Sequence, residues 1–303
     1  MKKIPIIIDT DPGVDDFFCI AIGCAFGELF DLRAITTIGG NNSTDVTTGN
    51  ALDILKLFGR DEVPVARGAD RFYTRQFGEP VAKFHGMNGL GNVEIPHSER
   101  RPDELKAWDM IYEQAKLCEG ELVLVTVGPE TNLAMAFEKY PDLKHMIKKI
   151  TVMGGTLTTG NVSEYAEANI WNDAEAAKIV FDTGIPIDMV GLNVTRKAPL
   201  RKDIFDGLED IREDVKDVML KLIAFRNEEA MHDAIAISSL VRDDIITFKD
   251  AYTYIIDGEN EKRGMSVADC DRTPNSRVAV GIDVDNYYAM MREMISHYRR
   301  KEI

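Results

Sequence analysis

Short runs rich in β-branched residues alternate along the chain with stretches whose apolar positions recur at helical spacing. Ile4 to Thr10 reads as a buried strand. Val14 to Phe26 has few polar residues and the length of a buried helix. Leu32 to Ile38 predicts a second strand. Ser43 to Phe58 predicts a helix with Ser43 as N-cap and Gly59 as its stop. Val63 to Ala66 is a short strand, Asp103 to Cys118 a helix, Glu121 to Val127 a strand and Thr131 to Tyr140 a helix closed by Pro141. Lys149 to Met153 and Pro186 to Val190 read as strands on either side of a helix over Asp173 to Asp182. Past Asn193 the character changes. Leu200 to Leu240 is helical with charged interruptions. Thr247 to Ile256 and Arg277 to Ile282 read as strands of an antiparallel addition, and Asp285 to Tyr298 is a last helix.

Strands alternating with helices of this length predict an α/β fold: an open, doubly wound, mainly parallel sheet flanked by helices, with extra C-terminal helices and strands. No linker-like break or fixed-period repeat interrupts the chain, so residues 1–303 are expected to form one domain. Asp70 to Arg100 is the one long stretch without periodicity, broken by Gly78, Pro80, Gly86, Gly89, Gly91 and Pro96. A long irregular loop in a compact fold is usually a lid or a binding loop.

The polar clusters fall after the strands. Asp9, Asp11, Asp15 and Asp16 follow the first, Gly39-Gly40-Asn41-Asn42 the second and Gly128-Pro129-Glu130-Thr131-Asn132 the fourth. Gly154 to Asn169 and Gly191-Leu192-Asn193 follow the next two. Open parallel sheets bind ligands outside the carboxyl ends of their strands, so these segments are expected to meet on one rim. Four carboxylates in Asp9-Thr10-Asp11-Pro12-Gly13-Val14-Asp15-Asp16 repel one another unless a positive charge sits among them. An all-oxygen donor set suits a hard cation, calcium rather than zinc. Helix capping and the helix dipole explain Asp15 and Asp16 but not four carboxylates. Met231-His232-Asp233 adds another acid beside a histidine. The Asn161, Glu164, Glu167 and Asn169 side chains offer the donors and acceptors that sugar hydroxyls need, although asparagine also favours loops for its own turn chemistry.

Composition narrows the partners. With 36 basic and 51 acidic residues the net charge is −15, which disfavours a nucleic-acid polymer or an anionic membrane. No stretch approaches the ~18 apolar residues of a spanning helix. The run Ile4-Pro5-Ile6-Ile7-Ile8 is too short for the core of a signal peptide. Cys19, Cys24, Cys118 and Cys270 form no Cys-x-x-Cys pair, and all are expected to be reduced in a cytoplasmic protein.

Taken together, these segments resemble the inosine-uridine-preferring nucleoside hydrolase family. The motif Asp9-Thr10-Asp11-Pro12-Gly13-Val14-Asp15-Asp16 carries the likeness. Gly40-Asn41, His85-Gly86-Met87-Asn88-Gly89-Leu90-Gly91, Val127-Gly128-Pro129-Glu130-Thr131-Asn132, Met153-Gly154-Gly155 and His232-Asp233 support it in order and spacing. The resemblance implies a calcium-dependent hydrolase of the N-glycosidic bond of ribonucleosides, acting as a homodimer or homotetramer. It implies that Asp11, Asp16 and Asp233 bind Ca2+ through carboxylates and Val127 through its carbonyl. Asp11 would serve as general base and His232 would help the base leave. Asp15, Asn41, Asn161, Glu167 and Asn169 would hold the ribose, and His85 would sit on a loop over the substrate. The sequence departs from the family at Ala168, where phenylalanine is common, and at Ala234, where proline is common; the helix before His232 has Phe225 but no tyrosine.

Two other readings use the same residues. Asp9-Thr10-Asp11 also fits the opening of a haloacid dehalogenase-type phosphatase, though Gly13 replaces the expected threonine or valine and Asp15 and Asp16 have no role there. A calcium-dependent nucleoside or ribose sensor is the non-catalytic alternative.

Overall fold

A computed structural model of the chain describes residues 2–300. The strands are β1 (Ile4–Thr10), β2 (Phe30–Thr37), β3 (Val65–Arg67), β4 (Leu122–Thr126), β5 (Ile147–Met153), β6 (Ile187–Val190), β7 (Ile246–Ile255), β8 (Ser266–Asp269) and β9 (Ser276–Ile282). The helices are α1 (Val14–Ala25), α2 (Thr44–Phe58), α3 (Ala82–His85), α4 (Ala107–Leu117), α5 (Thr131–Lys139), α6 (Ala168–Asn172), α7 (Ala174–Phe181), α8 (Leu192–Thr195), α9 (Glu213–Phe225), α10 (His232–Val241) and α11 (Val284–Ser296).

The strands form a nine-stranded sheet in the order β3-β2-β1-β4-β5-β6-β9-β7-β8. It is parallel from β3 through β9, and β7 runs antiparallel to both β9 and β8. This is the mainly parallel sheet with an antiparallel C-terminal addition that the alternation predicts. Successive strand side chains point to opposite faces, so β1 feeds both cores. Ile6 and Ile8 join α1, α2, α9, α10 and α11, while Ile7 packs with α4, α5 and α7 on the other side. That double burial is why β1 reads as an unbroken apolar run.

The boundaries differ where tertiary pairing overrides local pattern. The helix expected from Asp103 begins at Ala107, because the Asp103 N–H donates to the Val65 carbonyl at the sheet edge (2.7 Å). Leu200 to Leu240 divides into a 3-10 turn at Lys202–Phe205, then α9 and α10, with Asn227 and Glu228 at positive φ in the break. The short β8 and α6 carry no periodicity of their own and were not expected. Asp9 lies inside β1 rather than after it. Among the described residues no helix is long and apolar enough to cross a membrane. The four cysteines are free thiols, with Cys19 and Cys24 buried in α1.

The strand order reverses between β1 and β4: chain-sequential neighbours lie on one side of β1, and the next crossover goes to the other. Such a reversal opens a crevice at the strands' carboxyl ends. Asp11 follows β1 and Val127 follows β4, so both sit at that crevice.

Candidate active site

The crevice is a cavity of about 660 Å³. Of the eleven site residues expected from sequence, its lining includes Asp11, Asp15, Asn41, His85, Val127, Asn161, Glu167, Asn169 and His232. Asp233 also lines it, whereas Asp16 lies buried beneath, in the first turn of α1.

Two helices aim the acids. α1 packs along α10, and both begin at the crevice. Their first turns bring oxygens of Asp15, Asp16 and Asp233 within 4.8 Å of one another. A helix N-terminus carries partial positive charge, which favours acids there. That charge does not offset three buried carboxylates. Burial, and then the charge of Asp15, push Asp16 up to about 6. Burial with Asp15 and Asp16 raises Asp233 well above the carboxylate range. Burial, then Asp16, does the same to Asp11.

Asp11 stands beside this trio rather than within it. Its Oδ2 accepts the Asn41 N–H (2.7 Å), and a Cβ on Gly40 would lie 2.2 Å from that oxygen. Glycine at position 40 therefore permits the β2 loop to close on Asp11. Asp16 accepts from the Gly13 N–H (2.9 Å), the Thr10 hydroxyl (2.5 Å) and the Asn41 amide (3.2 Å). Oδ1 of Asp15 is buried with no hydrogen-bond partner.

That orphan oxygen and the crowded acids fit a hard divalent cation. The donors are carboxylate oxygens, with the Val127 carbonyl at the same cavity. Oxygen-only sets of this kind hold calcium or magnesium, not zinc. Asp11, Asp15, Asp16 and Asp233 are the residues that could supply them.

The opposite wall is built by α6. Glu167 caps that helix, accepting from the Asn169 (2.9 Å), Ile170 (3.2 Å) and Gly155 (3.0 Å) N–H groups. Burial nevertheless pushes its carboxyl up to about 7. The Asn169 amide donates to the carbonyls of Val127 (2.9 Å) and Met153 (3.1 Å), tying α6 to the ends of β4 and β5. Asn161 is exposed at the rim, and Ala168 faces the cavity.

The loop over residues 70–100 folds over the crevice, and Val81, Phe84 and His85 of its one-turn helix line it. His85 Nδ1 accepts the Val14 N–H (3.2 Å), which places its proton on Nε2. Burial lowers its pKa to about 4, so it is a neutral ring despite lying 3.8 Å from Asp15. Gly13 allows this approach, since a Cβ there would meet Nδ1 at 2.3 Å. Burial likewise lowers His232 to about 4; its Nδ1 lies 2.7 Å from the Thr195 hydroxyl.

Not every motif reaches the cavity. Of Val127-Gly128-Pro129-Glu130-Thr131-Asn132, only Val127 lines it. Asn132 instead donates to Asp9 (2.9 Å) and the Thr37 carbonyl (3.1 Å), and Glu130 accepts from Thr126 (2.6 Å). These bonds build a polar layer beneath the site, where burial pushes Asp9 up to about 7 and Glu130 to about 8. Phe225 packs on Gly91 and the core. Sequence reasoning missed Phe84, Thr195, Arg196 and Arg226. An arginine just past an amphipathic helix looks like any solvated helix end, and nothing in the sequence marks Arg226 as buried.

The geometry can be set beside known proteins. The sequence model of the inosine-uridine preferring nucleoside hydrolases matches residues 6–289. The chain is 34% identical to the non-specific ribonucleoside hydrolase RihC of Escherichia fergusonii, over 97% of this chain and 99% of that one. It is 31% identical to the pyrimidine-specific ribonucleoside hydrolase RihA of Salmonella paratyphi B, with the same coverage. Its fold superimposes on the purine-preferring ribonucleoside hydrolase from Gardnerella vaginalis with a TM-score of 0.90 and 32% identity, covering 96% of this chain and 98% of that one. These relatives carry three different base preferences at similar distance, so similarity alone assigns none here.

Proposed function

This chain belongs to the inosine-uridine preferring nucleoside hydrolase family and is an N-glycosyl hydrolase, and from that premise we propose that it cleaves ribonucleosides to ribose and free base in a calcium-dependent reaction. The observation that carries this reading is the convergence of the α1 and α10 N-termini, which sets buried carboxylates on the floor of the crevice.

In this mechanism Asp11, Asp16, Asp233 and the Val127 carbonyl would hold the ion. Bound calcium would supply a hard positive charge that offsets the acid cluster and lowers the pKa of water. Asp11, at the floor of the crevice, takes a proton from the attacking water. Asp15, Asn41, Asn161, Glu167 and Asn169 hold the ribose hydroxyls and fix the ring for attack at C1′. Carboxylates around the sugar stabilise the oxocarbenium-like transition state. His232 and His85 flank the leaving base as hydrogen-bonding groups, with the loop over residues 70–100 limiting water access. We extend the reading to a cytoplasmic homodimer or homotetramer, to be tested by light scattering on the purified protein.

The test is release of reducing sugar from inosine, adenosine, guanosine, uridine and cytidine, with calcium, with chelator, and with Asp11→Ala. Calcium-dependent release that the variant lacks is expected. Tight nucleoside binding by the folded, calcium-loaded protein without release from any substrate would refute hydrolysis in favour of a sensor. Since the 2′-hydroxyl is among the proposed anchors, 2′-deoxynucleosides should be poor substrates; equal rates would refute the ribose assignments.

A further inference from the structure

Glycosidic cleavage leaves the C1′–N electron pair on the departing base, so the base end of the cavity needs positive charge. The walls run the other way: Asp11, Asp15, Glu167, Glu228, Glu229 and Asp233 all line the cavity, against two arginines. Arg196 is exposed and committed, its Nη1 and Nη2 donating to the Thr159 (2.7 Å) and Gly160 (2.8 Å) carbonyls. It anchors the loop that carries Asn161.

Arg226 is different. It follows α9 and is buried, 7% exposed. Among the described residues, its five N–H donors find one hydrogen-bond acceptor, Glu229 Oε2 at 3.4 Å, and that glutamate is largely solvated. Its Nε is buried with no partner at all. Nη1 lies 3.7 Å from Asp15 Oδ1, beyond hydrogen-bond distance, and that oxygen is itself unpartnered. The guanidinium stands 5.8 Å from the centre of the Phe84 ring, a flat apolar surface at the same wall. A buried guanidinium left with unused donors at a ligand cavity is costly unless a ligand completes it. Phe84, Arg226 and His232 line the same cavity as Asp15 and Asn169, so a nucleoside whose ribose is held by Asp15 and Asn169 has this guanidinium within the same pocket.

We propose that Arg226 binds the leaving base and stabilises the negative charge it acquires as the glycosidic bond breaks. This rests on the hydrolase reading above. In balance, water adds its oxygen to C1′ and gives one proton to Asp11. The C1′–N pair departs on the base nitrogen, the guanidinium holds that anion, and solvent returns the proton. Arginine, unlike histidine, is a permanently charged residue type with donors in a fixed planar fork. The group therefore favours bases that present oxygen or ring-nitrogen acceptors to it.

The test compares inosine and uridine with 4-nitrophenyl β-D-ribofuranoside, whose phenolate leaves without such help. Arg226→Gln should lower kcat on both nucleosides by about 10²–10³-fold, as loss of one preorganised charge-stabilising donor does, with little effect on the nitrophenyl riboside. Arg226→Lys, which keeps the charge but not the fork, should lose less and show the same selectivity; it also answers the question if the glutamine variant does not fold. An equal loss on both substrate types would overturn the proposal and make Arg226 a positioning residue acting through Asp15. Unchanged rates would overturn it as well. A wild-type protein that cleaves neither substrate would instead refute the hydrolase reading beneath it.

Discussion

Arg263 reaches from the connection between β7 and β8 to the helices behind the ribose wall. Its Nη1 and Nη2 donate to Glu175 Oε1 (2.5 Å) and Oε2 (2.7 Å) in the first turn of α7, and its Nε donates to the Trp171 carbonyl (3.0 Å) in α6. The arginine side chain is 2% exposed and the glutamate 22%. The hydrogen bonds from Arg263 carry the Glu175 carboxyl from 4.5 down to about 2 although burial works against them. That difference corresponds to about 3.4 kcal/mol, and screening at a partly solvated carboxylate reduces it to about 2–3 kcal/mol. The folded-state value lies below the unfolded one. The stabilisation is therefore fully present above the unfolded pKa and disappears as pH falls through about 2. By pH 3.5 about 1.4 kcal/mol of the unscreened amount is already gone. Arg263→Met should thus lower unfolding free energy by about 2–3 kcal/mol at neutral pH, because Glu175 can rehydrate. Glu175→Gln should cost more, about 3–5 kcal/mol, since it leaves the buried guanidinium only the distant, solvated Glu259 at 3.7 Å as counter-charge. Urea denaturation at pH 7 and pH 3.5 measures both. The gap between wild type and Arg263→Met should narrow by about 1 kcal/mol at the lower pH. A gap independent of pH, or a methionine variant within about 0.5 kcal/mol of wild type, would refute the argument.

Other predictions concern the site. Calcium at one hundred times its dissociation constant should stabilise the fold by about 2.7 kcal/mol, which for 303 residues is a rise of about 4 °C in melting temperature. Asp233→Asn should abolish that rise, and a shift that survives it in calorimetry would place the ion elsewhere. Asn169→Ala leaves the Val127 and Met153 carbonyls without their donor. It should lower stability by about 1–3 kcal/mol and raise KM for nucleosides in steady-state assays. Thr195→Val removes the partner of His232 Nδ1. Loss of that ring orientation should reduce kcat by about 10-fold, while the melting temperature stays close to wild type.

What the sequence determined follows from local physics. Periods of two and 3.6 residues specify which stretches become strands and helices, and their alternation specifies a parallel sheet. The acid-rich turn at Asp9 to Asp16 is legible because four carboxylates so close in sequence must also be close in space. What only the tertiary structure decided is pairing between distant segments. Nothing local shows that α10 lies along α1, and so nothing local brings Asp233 to Asp15 and Asp16. Glu167 looked like a sugar ligand in a loop; folding also made it the cap of α6. Asn132 looked like part of the site rim, and folding turned it inward to Asp9. Arg226 left no trace in the pattern, because burial is a property of what packs around a side chain. The chain's local preferences can set an element's type, but the charge and solvent around each residue depend on neighbours that only the assembled fold supplies.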